Sequence, residues 1–285
     1  MLLQSLLRRT FSIVLTFGMV LTHLAVWNRP VVGQEPKEDP LLTVAESSQF
    51  KATANGEEVL IFLKQLAQQW EGSELHTIGT TTEGRPIQSL IIDPPEAKTE
   101  ADRPLTVLIL GGIHPGECDG KEAMLAFMRD MSRDKQTDWR NKLRLIFVPN
   151  FNADGDARRG KGHRPGQAGP IEGMGIRENA LGLDLNRDFM KLETPEARSL
   201  VATYNRFDVD VLIDLHTTNG SLHRYPLTYD VPHNPAASQL HDSYLRRDLL
   251  PTVTERLSKK GFETFYYGNF DRSHRRWDSY GHEPR

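Results

Sequence analysis

The stretch Leu105-Thr-Val-Leu-Ile-Leu-Gly-Gly-Ile-His-Pro-Gly-Glu117 decides the fold of this chain. Its first eight residues form a continuous apolar run, which is typical of a strand buried in the centre of a sheet. A Gly/Pro turn follows, and it carries a histidine and a glutamate three residues apart. Because ligands of α/β sheets bind outside the carboxyl ends of the strands, we expect both side chains to face such a site.

Patterns of helices and strands alternate on both sides of this run. Apolar residues at a helical spacing predict amphipathic helices, and short apolar runs between turn residues predict strands. The predicted elements are helices over 57–70, 121–134, 194–207 and 234–261 (interrupted at Pro251), a hairpin over 74–79 and 87–93, and strands over 143–149, 209–216 and 262–267. This order predicts an α/β layered domain with a mixed or parallel sheet.

The composition excludes several classes of protein. The chain has 285 residues, of which 38% are hydrophobic and 26% charged, so it is neither disordered nor a multi-span membrane protein. Its 35 basic and 38 acidic residues give a net charge of −3, which provides no electrostatic footprint for nucleic acid. The sequence has a single cysteine, Cys118, so any metal must be held by histidines and carboxylates.

The N-terminus has the pattern of a targeting segment. Arg8 and Arg9 precede an apolar run over 11–26, which predicts a secretory signal over 1–33, with an uncleaved anchor as the alternative. We expect export to the periplasm or the extracellular space, with no stable membrane span after cleavage. The polar, proline-containing segment 34–56 predicts a flexible leader, and the folded domain is expected over 57–285.

Residues 152–182 interrupt the alternation of elements. They hold eight glycines, two prolines and many charges without periodicity. A structureless loop of this length is usually functional or disordered, so we expect it on the surface beside the site that the strand ends build.

A metal site is predicted at the strand ends. The third core strand ends in Asp214-Leu-His216, which places a second histidine at the same edge as His114 and Glu117. Two histidines and one carboxylate form a zinc triad that leaves a coordination position open. Unrelated histidines that cap strands are the alternative for each residue alone, but the three together favour the metal.

The loop ends in a second polar group, Arg177 to Phe189. Asn186 and Arg187 place an amide beside a guanidinium, a pair that suits a carboxylate. Arg177 adds a cation that could stabilise an oxyanion near the metal. The alternative is that these arginines pair on the surface with Asp184 and Asp188.

Three segments of the chain resemble signature segments of a known family. His114-Pro-Gly-Glu117, Leu183-Asp-Leu-Asn-Arg-Asp-Phe189 and Asp214-Leu-His216 are similar to those of the zinc metallocarboxypeptidases of the carboxypeptidase A type. Asn150-Phe-Asn-Ala-Asp-Gly155 is similar to a further loop of that family. The resemblance covers about residues 55–285. It implies a three-layer α/β/α fold with a mixed central sheet.

The resemblance also implies roles for individual residues. Zn²⁺ would be held by His114, Glu117 and His216, and Asp184 would orient His114. The remaining roles are polarisation of the scissile carbonyl by Arg177, with Arg164 as a weaker candidate, and binding of the substrate's terminal carboxylate by Asn186 and Arg187. The implied reaction is hydrolysis of C-terminal peptide bonds, on a peptide or amide substrate with a free C-terminal carboxylate.

The sequence departs from this family at its C-terminus. The family's general base is a glutamate on a late strand, and neither Glu263 nor Glu283 has that context. Tyr267 and Tyr280 are candidates for the family's substrate tyrosine. We therefore expect a C-terminally incomplete domain that binds zinc and hydrolyses poorly or not at all. Two alternatives stay open: a related zinc amide hydrolase (a cell-wall peptide amidase or an acyl-amino-acid deacylase), and an inactive zinc-binding module.

Overall fold

The fold is taken from a computed structural model of the chain. It describes residues 11–13, 39, 41–94, 103–134, 138–167, 169–218, 220, 224–232, 238–267, 269–271 and 276–278, with the backbone alone at 11–13 and beyond 267. Apart from residues 11–13, the predicted signal segment lies outside the described residues, as do Tyr280 and Glu283.

A six-stranded mixed sheet forms the middle of the molecule. Its strands are β1 (Phe11–Ile13), β2 (Ser73–Thr80), β3 (Pro86–Ile92), β4 (Leu105–Gly111), β5 (Leu143–Val148) and β6 (Val211–Leu215). Their order is β1-β6-β4-β5-β3-β2. Strands β1, β6, β4 and β5 run parallel, whereas β3 is antiparallel to both β5 and β2. The predicted hairpin and the three predicted core strands are therefore confirmed.

Five of the seven helices in the described part of the chain lie where the apolar spacing predicts them. The seven are α1 (Val44–Ser47), α2 (Gly56–Gln69), α3 (Cys118–Arg133), α4 (Ala153–Ala157), α5 (Pro195–Arg206), α6 (Gln239–Tyr244) and α7 (Leu250–Ser258). The short helices α1 and α4 lie instead in segments predicted to be a leader and a loop. Pro251 does not interrupt the last helical region, because a π-helical turn at Leu245–Leu249 precedes it and Pro251 falls in the first turn of α7. Within the described residues, no helix is both long and apolar enough to cross a bilayer.

Alternate residues of the strands face two different helical layers. Ile109 and Phe147 pack with α2 and α3 in one core cluster, whereas Leu108 and Ile146 pack with Leu200 of α5 in the other. Side chains of a strand point alternately to opposite faces, so a central sheet with two covered faces needs apolar residues at every position. The result is the three-layer α/β/α arrangement that the resemblance implies.

Two small two-stranded sheets complete the described part of the chain. In one, β7 (Leu227–Tyr229) pairs with β8 (Thr264–Tyr266), and in the other, β9 (Asn269–Asp271) pairs with β10 (Arg276–Asp278).

The predicted flexible leader is corrected by the structure over residues 41–56. Leu41 and Ala54 are 1% and 2% exposed and belong to the core cluster of α2 and α3. The carboxylate of Glu122 on α3 accepts hydrogen bonds from the Thr53 hydroxyl and the Ala54 amide, both at 2.7 Å. The segment is ordered because these few long-range contacts satisfy its backbone, and local composition carries no signal for them.

Candidate metal centre

His114 and His216 follow two neighbouring parallel strands. β4 pairs with β6 in a register that sets Gly111 opposite Leu215, so both histidines leave the sheet at the same edge. Gly112 turns the chain toward the site with φ +72°, a conformation that favours glycine. The two imidazole rings lie 4.8 Å apart between centroids, with His114 2% exposed.

Glu117 reaches the same point from the start of α3. Gly120 in the first turn of α3 has no side chain, and a methyl group there would come within 2.6 Å of the Leu215 Cβ. The helix can therefore lie directly against the end of β6. The Glu117 carboxylate, 4% exposed, accepts a hydrogen bond through Oε2 from the Thr217 amide at 2.9 Å.

The three side chains form a cluster with the donor set of a zinc site. One ligand atom from each of His114, Glu117 and His216 lies within 4.8 Å of the others. His114 Nε2 lies 3.0 Å from Asp184 Oδ1, and its Nδ1 lies 3.0 Å from Glu117 Oε1. With its proton on Nε2 toward Asp184, His114 directs a nitrogen lone pair at the cluster, as a metal-ligating imidazole does.

His216 has a matching environment. Its Nδ1 lies 2.9 Å from Asp214 Oδ2, and its Nε2 lies 3.4 Å from the Asn186 amide nitrogen. Yet this Nδ1 is buried without a well-formed hydrogen bond from any described residue, as is Asp214 Oδ1. Buried polar atoms are rarely left unpaired, so a further group at this cluster fits the residues present. Two imidazoles and a carboxylate suit Zn²⁺.

The electrostatics of the site keep its carboxylates ionised. Burial alone would raise the pKa of Glu117, but the His114 hydrogen bond, the two histidines' charges and the Thr217 amide lower it to about 2. Burial also raises the pKa of Asp184. The His114 hydrogen bond and the charges of His114 and Arg177 nevertheless hold the pKa of that carboxyl well below its usual range. Burial lowers the pKa of His216, but the negative charges of Asp214 and Glu117 have the larger effect, so the pKa of His216 is raised overall.

The glycine-rich loop, residues 152–182, is described except at residue 168, and it brings two guanidinium groups to the cluster. Gly160 and Met174 form an isolated bridge across the loop. Arg177 lies with Nη1 3.3 Å from His114 Nδ1 and with Nη2 2.9 Å from Asp184 Oδ2. Arg164 lies closer to the carboxylate of the cluster, with Nη2 2.6 Å from Glu117 Oε1.

The Asn186-Arg187 pair lies on a short 3₁₀ turn, Leu185–Arg187, which Asp184 caps by accepting from the Asn186 amide at 2.9 Å. Asn186 faces His216, whereas Arg187 is exposed and donates to the Asn186 carbonyl at 3.0 Å. Arg177 pairs with Asp184, as the alternative expects, but it also lies beside His114. Asp188 instead accepts hydrogen bonds from the backbone before α5.

Asn152, to which the sequence analysis gives no role, connects the segment of His114 to the segment of Arg177. It is fully buried, and its side-chain amide lies 3.2 Å from the Glu178 carbonyl and 3.4 Å from the Ile113 and Arg177 carbonyls. Its oxygen also caps α4 through the Gly155 amide. The only available signal was its place in the segment Asn150–Gly155, two residues after a core strand.

A His/Glu/His cluster at the strand ends of an α/β sheet is typical of metal-dependent hydrolases. The family model described as zinc carboxypeptidase matches residues 59–249, more than half of the chain. The chain therefore belongs to the zinc carboxypeptidase family, as its three segments predicted.

Individual relatives are distant. Carboxypeptidase 2 of Trichophyton rubrum is 24% identical over 162 residues, which are 54% of this chain and 27% of the relative. Carboxypeptidase E of Caenorhabditis elegans is 29% identical over 130 residues, 44% of this chain and 26% of the relative. This chain thus spans about a quarter of the length of these curated relatives.

Solved structures support the fold. The metallo-carboxypeptidase of Pseudomonas aeruginosa superposes with a TM-score of 0.55 at 24% identity, over 81% of this chain and 54% of the other. The carboxypeptidase A of Helicoverpa armigera gives a TM-score of 0.51 at 20% identity, over 74% and 55%. The predicted three-layer α/β fold with a mixed central sheet is confirmed.

Proposed function

We propose that this chain binds Zn²⁺ through His114, Glu117 and His216 and belongs to an enzyme that hydrolyses C-terminal peptide bonds. The observation that carries the proposal is the convergence of these three ligand atoms within 4.8 Å. Asp184 supports it as the partner of His114 Nε2, since a carboxylate on the outer nitrogen orients a ligating imidazole.

Zinc in this position would polarise the substrate carbonyl and acidify a bound water. Arg177, held by Asp184, would donate to the carbonyl oxygen as negative charge develops on it. Asn186 and Arg187 would bind the terminal carboxylate, because they lie on one short turn and Asn186 lies beside His216. Cleavage would then be restricted to the last peptide bond.

The general base is assigned to no residue of this chain. Glu263 is exposed, and its carboxylate lies 3.8 Å from the guanidinium of the exposed Arg224. Glu283 lies outside the described residues. The inactive zinc-binding module and the related amide hydrolase therefore remain the alternatives to a peptidase.

Zinc content and peptide binding test the proposal together. We expect one bound zinc per chain by elemental analysis and its loss in Glu117→Ala, while full zinc retention there would refute the site. A peptide with a free C-terminus should bind more tightly than its amidated form, with the preference lost in Arg187→Gln and kept in the exposed control Arg256→Gln. Equal binding of the two peptides would favour the amide hydrolase, and binding without turnover would favour the inactive module.

Export is a separate part of the proposal. The basic residues and the apolar run before residue 33 support a cleaved signal and a periplasmic or extracellular protein. Cell fractionation with N-terminal sequencing of the mature chain tests it, and a start at Met1 in the cytoplasm would refute it.

A further inference from the structure

Arg164, on the glycine-rich loop, donates a hydrogen bond to the candidate ligand Glu117. Its Nη2 lies 2.6 Å from Glu117 Oε1, and its side chain is only 12% exposed. The loop holds Arg164 at φ +54°, a conformation that a non-glycine residue rarely adopts. Beyond it, Gln167 anchors the loop by donating to the Thr218 carbonyl at 2.7 Å. The loop therefore holds the backbone of Arg164 beside the cluster.

Gly116 provides the space that Arg164 occupies. A methyl group built on Gly116 would come within 2.4 Å of the Arg164 Cγ and 3.1 Å of its Cδ. Gly116 does not adopt the left-handed conformation, so an alanine fits its backbone. The arginine side chain is thus the main obstacle to a larger residue here, and the next group is the Gly175 carbonyl oxygen at 3.3 Å.

We propose that Arg164 is a positioning residue that competes with the metal for Glu117 and so sets the metal affinity of the cluster. The proposal rests on the zinc site proposed above. Thr217 already occupies Oε2, so Oε1, which also lies 3.0 Å from His114 Nδ1, is the oxygen that Arg164 and a metal would share.

The competition follows from charge. Without a metal, Arg164 neutralises a buried carboxylate whose isolation would be costly. When a divalent cation binds Glu117, the same guanidinium becomes a like charge beside it, because the loop carries Arg164 next to Glu117. Arg177 adds a second cation at 3.9 Å from Oε1. Arg164 thus stabilises the metal-free protein more than the metal-bound protein.

Zinc affinity of the full chain, measured by competition with a fluorescent zinc chelator, tests the proposal. We expect Arg164→Gln to bind zinc about tenfold more tightly, which corresponds to about 1.4 kcal/mol. Arg164→Lys keeps the charge and should stay near the wild-type affinity. The matched control is Arg158→Gln, which removes an exposed arginine of the same region that pairs with Glu83, and it should leave the affinity unchanged.

Gly116→Ala provides a second variant that leaves Arg164 in the chain. The added methyl group should displace the arginine and tighten zinc binding as Arg164→Gln does. In the Arg164→Gln variant, adding Gly116→Ala should change the zinc affinity by less than twofold, because the side chain that the alanine displaces no longer carries a charge. Additive effects of the two substitutions would count against the proposal.

Stability in chelator supplies a readout that is independent of catalysis. Arg164→Gln should lower the free energy of unfolding more in the zinc-free protein than in the zinc-bound protein. By thermodynamic linkage, the difference between these two losses must equal the gain in the free energy of zinc binding. Equal stability losses with and without zinc, or equal or weaker zinc binding, would overturn the role of Arg164 and leave the zinc site intact. A wild-type chain that binds no zinc would refute the site and this inference together.

Discussion

Asp188 connects the turn that carries Asn186 and Arg187 to the start of α5. It is 3% exposed, and its Oδ1 accepts from the Glu193 amide at 2.8 Å. Its Oδ2 accepts from the amide and the hydroxyl of Thr194, at 2.8 and 2.6 Å. Burial would raise the pKa of Asp188, but these donors lower it overall.

Replacing this carboxylate with an amide tests the connection. Asp188→Asn keeps one acceptor oxygen but sets an NH₂ group against either the Glu193 amide or the two donors of Thr194. Because a hydrogen bond to a charged group contributes about 1.5–3 kcal/mol, we expect a loss of about 3 kcal/mol. At about 2–4 °C per kcal/mol for a domain of this size, Tm should fall by roughly 6–12 °C.

Urea unfolding as a function of pH measures this effect. Since the folded pKa of Asp188 is lowered, its contribution is present above the unfolded value of about 3.9 and is lost as the pH falls below it. The gap between wild type and Asp188→Asn should therefore narrow in acid. Glu193→Gln, an exposed neighbour, is the control and should change stability by less than about 0.5 kcal/mol. A loss below 0.5 kcal/mol in Asp188→Asn at pH 7, or a gap that widens in acid, would refute the reasoning.

Three further predictions concern the core, a surface ion pair and the metal. Leu63→Ala should cost about 2–5 kcal/mol in urea unfolding, because Leu63 is 0% exposed in the core of α2 and α3; a cost below 1 kcal/mol would contradict the packing. Arg133 pairs with both oxygens of Asp39 at 2.6 and 2.7 Å and lowers the pKa of Asp39 to about 2. Arg133→Gln should cost less than about 1 kcal/mol at pH 7, and the cost should fade between about pH 4 and pH 2. Zinc at 100 times its Kd should add about 2.7 kcal/mol to the stability in calorimetry, and chelation should remove it; a Tm that is indifferent to chelator would contradict a zinc site.

The sequence predicted the sheet and the metal cluster because both depend on local patterns. Apolar runs locate β4 and β6, and a polar residue that follows a buried strand must lie at the edge of the sheet. The convergence of His114 and His216 needs one additional fact, the adjacency of β4 and β6. The apolar pattern does not contain this fact, and the resemblance implied the convergence only through the shared zinc site.

The rest of the site depends on contacts between distant segments. The resemblance favoured Arg177 over Arg164 for the role beside the metal. The short distance from Arg164 to Glu117 depends on the space that Gly116 leaves, and a hydrophobic pattern in the sequence cannot predict that space. From its composition alone, the glycine-rich loop is expected to be either functional or disordered. It is ordered because buried groups such as Asn152 and Asp154 bind its backbone and its neighbours, including the Glu83 amide at 2.9 Å.

The docking of residues 41–56 has a practical consequence for anyone who shortens this chain. A gene cut at residue 57, the start of the region with obvious helical spacing, would remove Leu41 and Ala54 from the core. It would also leave the Glu122 carboxylate without its donors and take away the carbonyl oxygen of Ala54 that the buried Lys121 ammonium contacts. Such a product should aggregate, whereas a cut before Asp39 would keep all of these contacts and, among the described residues, remove only β1 from the edge of the sheet.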